Sequence, residues 1–314
     1  MVDVINNINN KNIMNKNKQV TIINDAAWVG YELANGLQDL NIKVLYLPRN
    51  FAGPNSRTNV IYSSYGKTVA PLINALRAKG IIHVNYALQD AFFVRLIRKK
   101  INVLHCHGTD LFGVFDEQFK KQSKDLSKWQ WIVKGNLRYA KTVIVSTPEM
   151  LNLAKIIRED AEYLPNPVDT NRFSPSNIKT NQIRAIGFNS WYEKVPKYLV
   201  DALEKNNIKV DIYNRRPFSY NELQNTLKKY QIFIDRIFTE GVSSFSKTCL
   251  EAMSCELVTI DYRHKDDIND RLMKILDEEE RIKEAKENRQ YIIDNHDRKI
   301  ISAKLLEIYN RQNE

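Results

Sequence analysis

Short apolar runs, each ending on a polar residue, alternate along the chain with stretches whose apolar positions recur every three or four residues. The first run is QVTIIN at 19–24, and the segment 31–40 behind it spaces Leu33, Leu37 and Leu40 for one helical face. A second run follows at 42–47. The pattern repeats with helix at 69–79, strand IIHVN at 81–85, helix at 89–99, strand at 102–106, strand TVIVS at 142–146 and a helix from Pro148. Strand–helix–strand order of this kind predicts parallel sheets in an α/β protein. YLPNPVD at 163–169 interrupts it, because two prolines around an asparagine exclude helix and impose an extended crossing. The same alternation then restarts: strand 183–187, helix 195–204, strand 210–213, helix 220–229, strand 232–235, and a charged helical tail from 267. Two consecutive α/β domains are therefore expected, joined at the Pro-Asn-Pro segment.

The stretch 238–262, FTEGVSSFSKTCLEAMSCELVTIDY, carries the densest candidate chemistry. Gly241, Ser243, Ser244 and Ser246 predict a small polar turn feeding a helix at 248–255 and a strand at 257–260. Free N–H groups and the positive dipole end at such a helix start suit a phosphate. Lys247 opposes the dipole there and gains if an anion binds. Glu251, one turn further in, is an acceptor pair able to hold two neighbouring ribose hydroxyls. The plainer alternative is a capped helix whose serines satisfy only its own backbone. In the first half, the turn DAAWVG at 25–30 follows the first strand, where such sheets bind ligands. It is not a GxGxxG fingerprint. The strand at 102–106 runs into HCHGTD, placing His107 and Gly108 at a strand's carboxyl end; the alternative is that His105 and His107 hydrogen-bond inside the domain. No further ligands have zinc spacing.

Composition changes this picture in three respects. At 314 residues with 43% hydrophobic content the chain is long enough for two cores. Its formal net charge of +10 favours anionic partners, yet no zinc finger, RNA-binding sheet or helix-turn-helix pattern accompanies it, and no nucleic acid partner is expected. The segment 115–141 is basic and aromatic, with Trp129 and Trp131 among lysines. As one helix it suits an anionic bilayer surface; the alternative is a solvated helix with its tryptophans in the core. Residues 1–18 are Asn- and Lys-rich and read as a disordered tail. No run is apolar enough to span a membrane and no leader pattern is visible. The three cysteines, Cys106, Cys249 and Cys255, lack metal spacing, so a reducing cytoplasmic setting is expected, with peripheral contact at the inner membrane face.

Several of these segments carry a family resemblance. IIHVNYALQDAFFVRLI, LHCHGTDLFG, VSTPEML, YLPNPVDTNRFSP, IGFNSWYEK and LEAMSCELVTI occur in the order and spacing of family-4 glycosyltransferases of the GT-B fold. The chain resembles that family over nearly its whole length after the tail. The resemblance implies two Rossmann-like α/β domains facing each other across a cleft. An N-terminal acceptor domain would span 19–165, with the C-terminal helix 296–314 packing back on it, and a C-terminal donor domain 166–295. It implies retaining transfer of a sugar from a nucleotide diphosphate sugar to a lipid, glycan or other acceptor, without cofactor. Carried over, the catalytic residues are His107, Glu240 and Lys194. The donor is held by Gly187, Lys194, Arg215, Ser243, Ser244, Lys247 and Glu251. The acceptor side has Asp25, Trp28 and Asp110. No Asp-x-Asp pair occurs in the sequence, so metal independence is expected. The chain departs from the family pattern at Ser243, where a glutamate is usual and Glu240 stands in, and at Phe188, where an arginine is usual and Arg215, Arg216 or Arg236 would supply the charge. A catalytically silent nucleotide-sugar-binding or interaction protein is the alternative.

Overall fold

The computed structural model describes residues 19–49, 59–60, 69–122, 125–176, 182–189, 193–214, 218–236, 243–264 and 266–312. These divide into two compact units: the first holds the described residues up to 167 together with 298–312, the second 168–297.

The first unit is built from β1 (Val20–Ile23), α1 (Val29–Asp39), β2 (Val44–Leu47), β3 (Asn59–Val60), α2 (Ala70–Arg77), β4 (Ile81–Asn85), α3 (Gln89–Leu96) and β5 (Val103–Cys106). There follow α4 (Phe112–Phe115), α5 (Glu117–Gln122), a 3₁₀ turn at Ser127–Trp129, α6 (Gln130–Tyr139), β6 (Thr142–Val145), α7 (Pro148–Lys155) and β7 (Glu162–Tyr163). Its seven strands pair in parallel in the order β3-β2-β1-β4-β5-β6-β7. Strands covered on both faces are unbroken apolar runs, and all four residues of β1 are buried. The one polar member, Thr21, is tolerated because its hydroxyl donates to Lys79 O at 2.6 Å and accepts from Lys79 N at 3.0 Å. Right-handed crossovers in this order send α1 to one face and α2, α3 and α6 to the other. On the second face α2 packs on α3 and α3 on α6.

The final helix, α13 (Arg298–Asn310), lies against α1. A Cβ at Gly36 would come within 2.0 Å of Ser302 Oγ, so the approach of these two helices requires glycine there. Arg298 reaches Glu32 at 3.3 Å and Asp39 at 2.9 Å, and Gln312 Nε2 donates to Asn102 O at 2.9 Å.

The segment 115–141 is not the single basic helix that its composition suggests. Extended backbone at Asp116 (φ −96°, ψ 114°) ends α4, and its carboxylate then caps α5 by accepting Phe119 N at 2.8 Å. Asp125 accepts Ser127 N at 2.7 Å and restarts the chain as the 3₁₀ turn. Of the two tryptophans, Trp129 is half-buried and Trp131 exposed, so neither is a core residue.

The second unit runs β8 (Arg184–Asn189), α8 (Lys197–Lys205), β9 (Lys209–Asn214), α9 (Tyr220–Leu227), β10 (Ile232–Ile234), α10 (Lys247–Ser254), β11 (Val258–Ile260), α11 (Ile268–Leu276) and α12 (Glu278–Asn295). Its sheet is parallel, in the order β11-β10-β8-β9. Leu199 and Leu203 of α8 pack with Ala185, Ile232, Ile234 and Val258 in its core. Buried Arg271 ties α11 to its neighbours, giving Nε to Thr259 O at 2.8 Å and pairing with Glu284 at 2.5 Å.

In both units the strand order reverses once: between β1 and β4 in the first, between β8 and β10 in the second. Open α/β sheets bind ligands beyond the carboxyl ends of the strands that flank such a reversal.

Candidate functional site

At the reversal in the first unit, β1 and β4 each end on an asparagine. Asn24 Nδ2 donates to Asn85 O and Asn85 Nδ2 to Asn24 O, both at 3.2 Å. That reciprocal pair commits the Asn85 amide nitrogen, so its Oδ1 is the acceptor facing His107 Nε2 at 2.8 Å. His107 therefore carries its proton on Nε2, and its bare Nδ1 accepts from Ser146 Oγ at 2.7 Å. Ser146 in turn accepts from His105 Nε2 at 3.0 Å. The His105 and His107 rings lie 4.0 Å apart, and His83, whose Nδ1 meets Tyr309 OH at 2.6 Å, is 5.5 Å from His105. Burial, reinforced by the neighbouring His83 ring, holds His107 down to about 3. Burial, against a hydrogen bond with Asn85 that raises it, brings His83 to about 3, and His105 is also held well below the usual imidazole range. At neutral pH His107 is thus an oriented, uncharged ring rather than a proton carrier.

Two residues expected on the acceptor side hold backbone N–H groups. Asp110 is fully buried and accepts His107 N and Gly108 N at 3.0 Å each and Ala87 N at 2.9 Å. It pins the 107–110 loop, where Gly108 adopts φ 122°, a conformation that favours glycine. Burial outweighs those N–H bonds and raises the Asp110 carboxyl to about 6. Asp25 accepts Gly30 N at 2.9 Å, Tyr31 N at 3.3 Å and Tyr46 OH at 2.5 Å. Its carboxylate thus occupies the start of α1, the place where nucleotide-binding sheets hold a phosphate. Trp28 is half-buried with its ring edge-on to Tyr31 at 6.5 Å. Ala27 and Trp28 both have left-handed backbone, φ 52° and 67°, strain that concentrates at functional sites.

These groups make acid stability predictable. His83, His105 and His107 have folded pKa values below the unfolded imidazole value near 6.5, so the unfolded chain binds more protons as pH falls from 6.5 toward 3, and stability drops. Asp110, raised to about 6, and Asp90, also raised by burial, act in the opposite direction between their unfolded values and their folded ones. Three groups outweigh two. The melting temperature is expected to fall between pH 7 and pH 4, measured by circular dichroism. A melting temperature that holds or rises over this range would contradict the neutral histidine row.

In the second unit the helix expected at 248–255 starts one residue earlier, at Lys247, with Ser246 as its cap. Its Oγ accepts Cys249 N at 3.1 Å, while Asp235 Oδ2 accepts Ser246 N at 2.9 Å. Ser246 is therefore an ordinary cap, with a carboxylate already beside it. Ser243 is exposed and Ser244 half-buried ahead of the helix, and Arg236 donates to Ser244 O at 3.0 Å. Lys247 does not wait for an anion: its Nζ pairs with Glu251 Oε1 at 2.6 Å, and the two side chains are 5% and 0% exposed. Phe173 and Tyr220 rings lie 5.9 Å from that ammonium. Glu251 holds Lys247 through Oε1 and is not presented at the surface. Gly187 sits in mid-sheet, where a Cβ would come within 3.0 Å of both Val195 and Ile212 side chains; its smallness serves packing. Lys194 is exposed just past the carboxyl end of β8, beside Val195, whose N–H donates to Asn189 Oδ1 at 2.9 Å. Phe188 lies within 6.3 Å, centroid to centroid, of Tyr213, Phe218 and Phe233, so an aromatic cluster fills the place of the usual arginine. Arg215, Arg216 and Glu240 lie outside the described residues.

The structure therefore gathers Asp25, Trp28, His107 and Asp110 at one sheet edge. It gathers Lys194, Ser243, Ser244 and the start of α10 at the carboxyl edge of the other sheet. Asn24, Asn85 and Ser146, which orient His107, escaped the sequence reading. A signal existed: VTIIN, IIHVN and TVIVS are apolar runs that each stop on a small hydrogen-bonding side chain. Arg236 and Arg263 are described cations beside the 243–246 loop, Arg263 lying 4.8 Å from the Phe245 ring.

No family model and no curated protein matches the chain. Solved structures do. A sucrose-phosphate synthase from Thermosynechococcus elongatus superposes with TM-score 0.64 at 12% identity, over 94% of this chain and 99% of that one. A glycosyltransferase from Rickettsia africae gives 0.58 at 14%, over 95% and 99%. A mutant form of TarM from S. aureus, solved with UDP among its ligands, gives 0.51 at 14%, over 73% and 55%. At such identities the likeness defines the fold: GT-B, with two Rossmann-like α/β units. No metal-binding cluster of acids, histidines and cysteines occurs among the described residues, and no helix among them is long and apolar enough to cross a membrane.

Proposed function

We propose that the chain is a retaining glycosyltransferase that moves a sugar from a nucleotide diphosphate sugar to a lipid, glycan or other acceptor. The observation that carries the reading is the GT-B likeness over 94% or more of the chain, to structures that include a named glycosyltransferase. The ordered sequence motifs and the UDP held by TarM support a nucleotide diphosphate as the leaving group. Departure of that group builds negative charge, and fixed cations and N–H dipoles lower its energy most in a preorganised site. In this reading Lys194 and a neighbouring arginine, Arg215 or Arg236, meet the diphosphate without a divalent ion. Glu240 completes the donor side, and His107 faces the transferred sugar as a neutral ring.

A second reading, a silent nucleotide-sugar-binding protein of the same fold, is favoured by the Lys247–Glu251 pair and by Asp235 at the start of α10. One experiment separates them. Purified chain is screened with UDP, GDP, ADP and CDP by thermal shift, then given the matching nucleotide sugar and assayed for released nucleotide. A preferred nucleotide raises the melting temperature, because it binds the native state. A shift with turnover supports the enzyme, a shift without turnover the silent protein. No shift and no turnover with any nucleotide removes both.

A further inference from the structure

The chain's outermost apolar residues are unevenly distributed. Val69, Leu76, Leu96, Trp131 and Tyr139 make up five of the eleven exposed large hydrophobics among the described residues, and all five lie on or beside α2, α3 and α6. These helices form one layer on one face of the first unit's sheet. Trp131, the most exposed tryptophan at 64%, stands edge-on to Phe92 of α3 at 6.2 Å. Arg95 lies 5.8 Å from the same Phe92 and crosses to α6 so closely that a Cβ at Gly135 would come within 1.8 Å of its Nη1. The layer thus has an aromatic centre with a guanidinium laid across it.

Its charge has one sign. The helix sequences APLINALR, QDAFFVRL and QWIVKGNLRY contain one acid, Asp90. That residue is fully buried and paired with Arg49 at 2.5 Å. Arg77 and Arg138 are exposed and Arg95 and Lys134 half-exposed, with Arg98 and Lys100 on the loop after α3. A contiguous exposed apolar patch marks a binding surface. Uniform positive charge around it suits a partner that is uniformly negative. A second copy of this chain, at +10, is not such a partner. Tryptophan and tyrosine settle at the headgroup level of bilayers, and long cationic side chains lay their stems on apolar surface while their heads reach anionic lipid.

We infer that the α2–α3–α6 face docks on an anionic lipid bilayer, with Trp131 and Phe92 at the headgroup boundary and the flanking arginines and lysines on lipid phosphates. The docking element is a three-helix layer, rather than the run 115–141 taken as one helix. The inference holds whether or not the chain transfers sugar.

The test is sedimentation of the full chain with vesicles of phosphatidylcholine alone and of phosphatidylcholine mixed with phosphatidylglycerol. Binding to the mixed vesicles only, weakened by salt, is the expected result. Each exposed cation contributes roughly fivefold near such a surface, so Arg77→Gln/Lys134→Gln/Arg138→Gln should lose about a hundredfold in affinity. Trp131→Ala should lose about tenfold. Melting curves show that the variants fold. Failure of the natural chain to sediment with anionic vesicles overturns the inference, and so does unchanged binding by the folded variants. Association of the chain with itself that Trp131→Ala abolishes would assign the face to a protein contact and overturn it equally.

Discussion

Glu251→Ala is expected to destabilise the second unit by about 3–5 kcal/mol, because it strands a buried ammonium. The Lys247 and Glu251 side chains are 5% and 0% exposed and meet at 2.6 Å one helical turn apart. Lys247 has no compensating route to water, since its side chain is 5% exposed and the Phe173 and Tyr220 rings each lie 5.9 Å from its Nζ. Taking both charges away together is a different matter. A buried pair costs desolvation that its attraction only partly offsets, so Lys247→Met/Glu251→Leu should regain most of the loss. A double-mutant cycle by denaturant melting measures the coupling. A loss below about 1 kcal/mol in Glu251→Ala would mean that the pair does not hold the helix start in solution. The double variant also tests the role that the family resemblance implies for Glu251. If it folds and still gains stability from the preferred nucleotide, the carboxylate is structural. If it folds and that gain vanishes, the ribose competes with Lys247 for Glu251, and the pair opens when donor arrives.

The pair also explains why the site was less legible than the fold. Strand runs and helix faces are local patterns, and they placed both sheets, because a strand buried on both sides must be apolar along its whole length. Side-chain partnerships between distant segments leave no such pattern. The i,i+4 spacing of Lys247 and Glu251 is itself a local signal, but their burial against Phe173 and Tyr220, from distant segments, is not. Asp25 and Asp110 looked like ligands for an acceptor because they stand at strand ends. Each accepts backbone N–H groups, Asp110 that of Ala87 among them, a use that sequence alone does not distinguish from ligand binding. Conversely, His107 was visible as a strand-end histidine, but its charge state depends on burial and the ring of His83, and its orientation on Asn85 and Ser146, which come from separate strands. The long basic segment was misread for a local reason: Asp116 and Asp125 each cap a new turn, and the lysine periodicity continues through both breaks.

Lys194→Ala should lower turnover by about 10²–10³ while leaving the melting temperature unchanged. The side chain is exposed at the end of β8, so its removal exposes no core and breaks no described contact. The charge on a departing diphosphate grows along the reaction, so a cation held near it contributes more to the transition state than to donor binding. The loss should accordingly appear in kcat rather than in KM. Lys194→Arg keeps the charge but moves it outward on a planar head, and an intermediate rate is expected. Arg236→Ala offers the contrast. That guanidinium donates to Ser244 O, so its loss should disturb the 243–246 loop and lower both melting temperature and rate. A kcat defect without a stability defect in Lys194→Ala, set against both defects in Arg236→Ala, separates a charge used by the reaction from one used by the fold. Natural rates in Lys194→Ala would remove this lysine from the transferase reading and leave the diphosphate to Arg215 or Arg236.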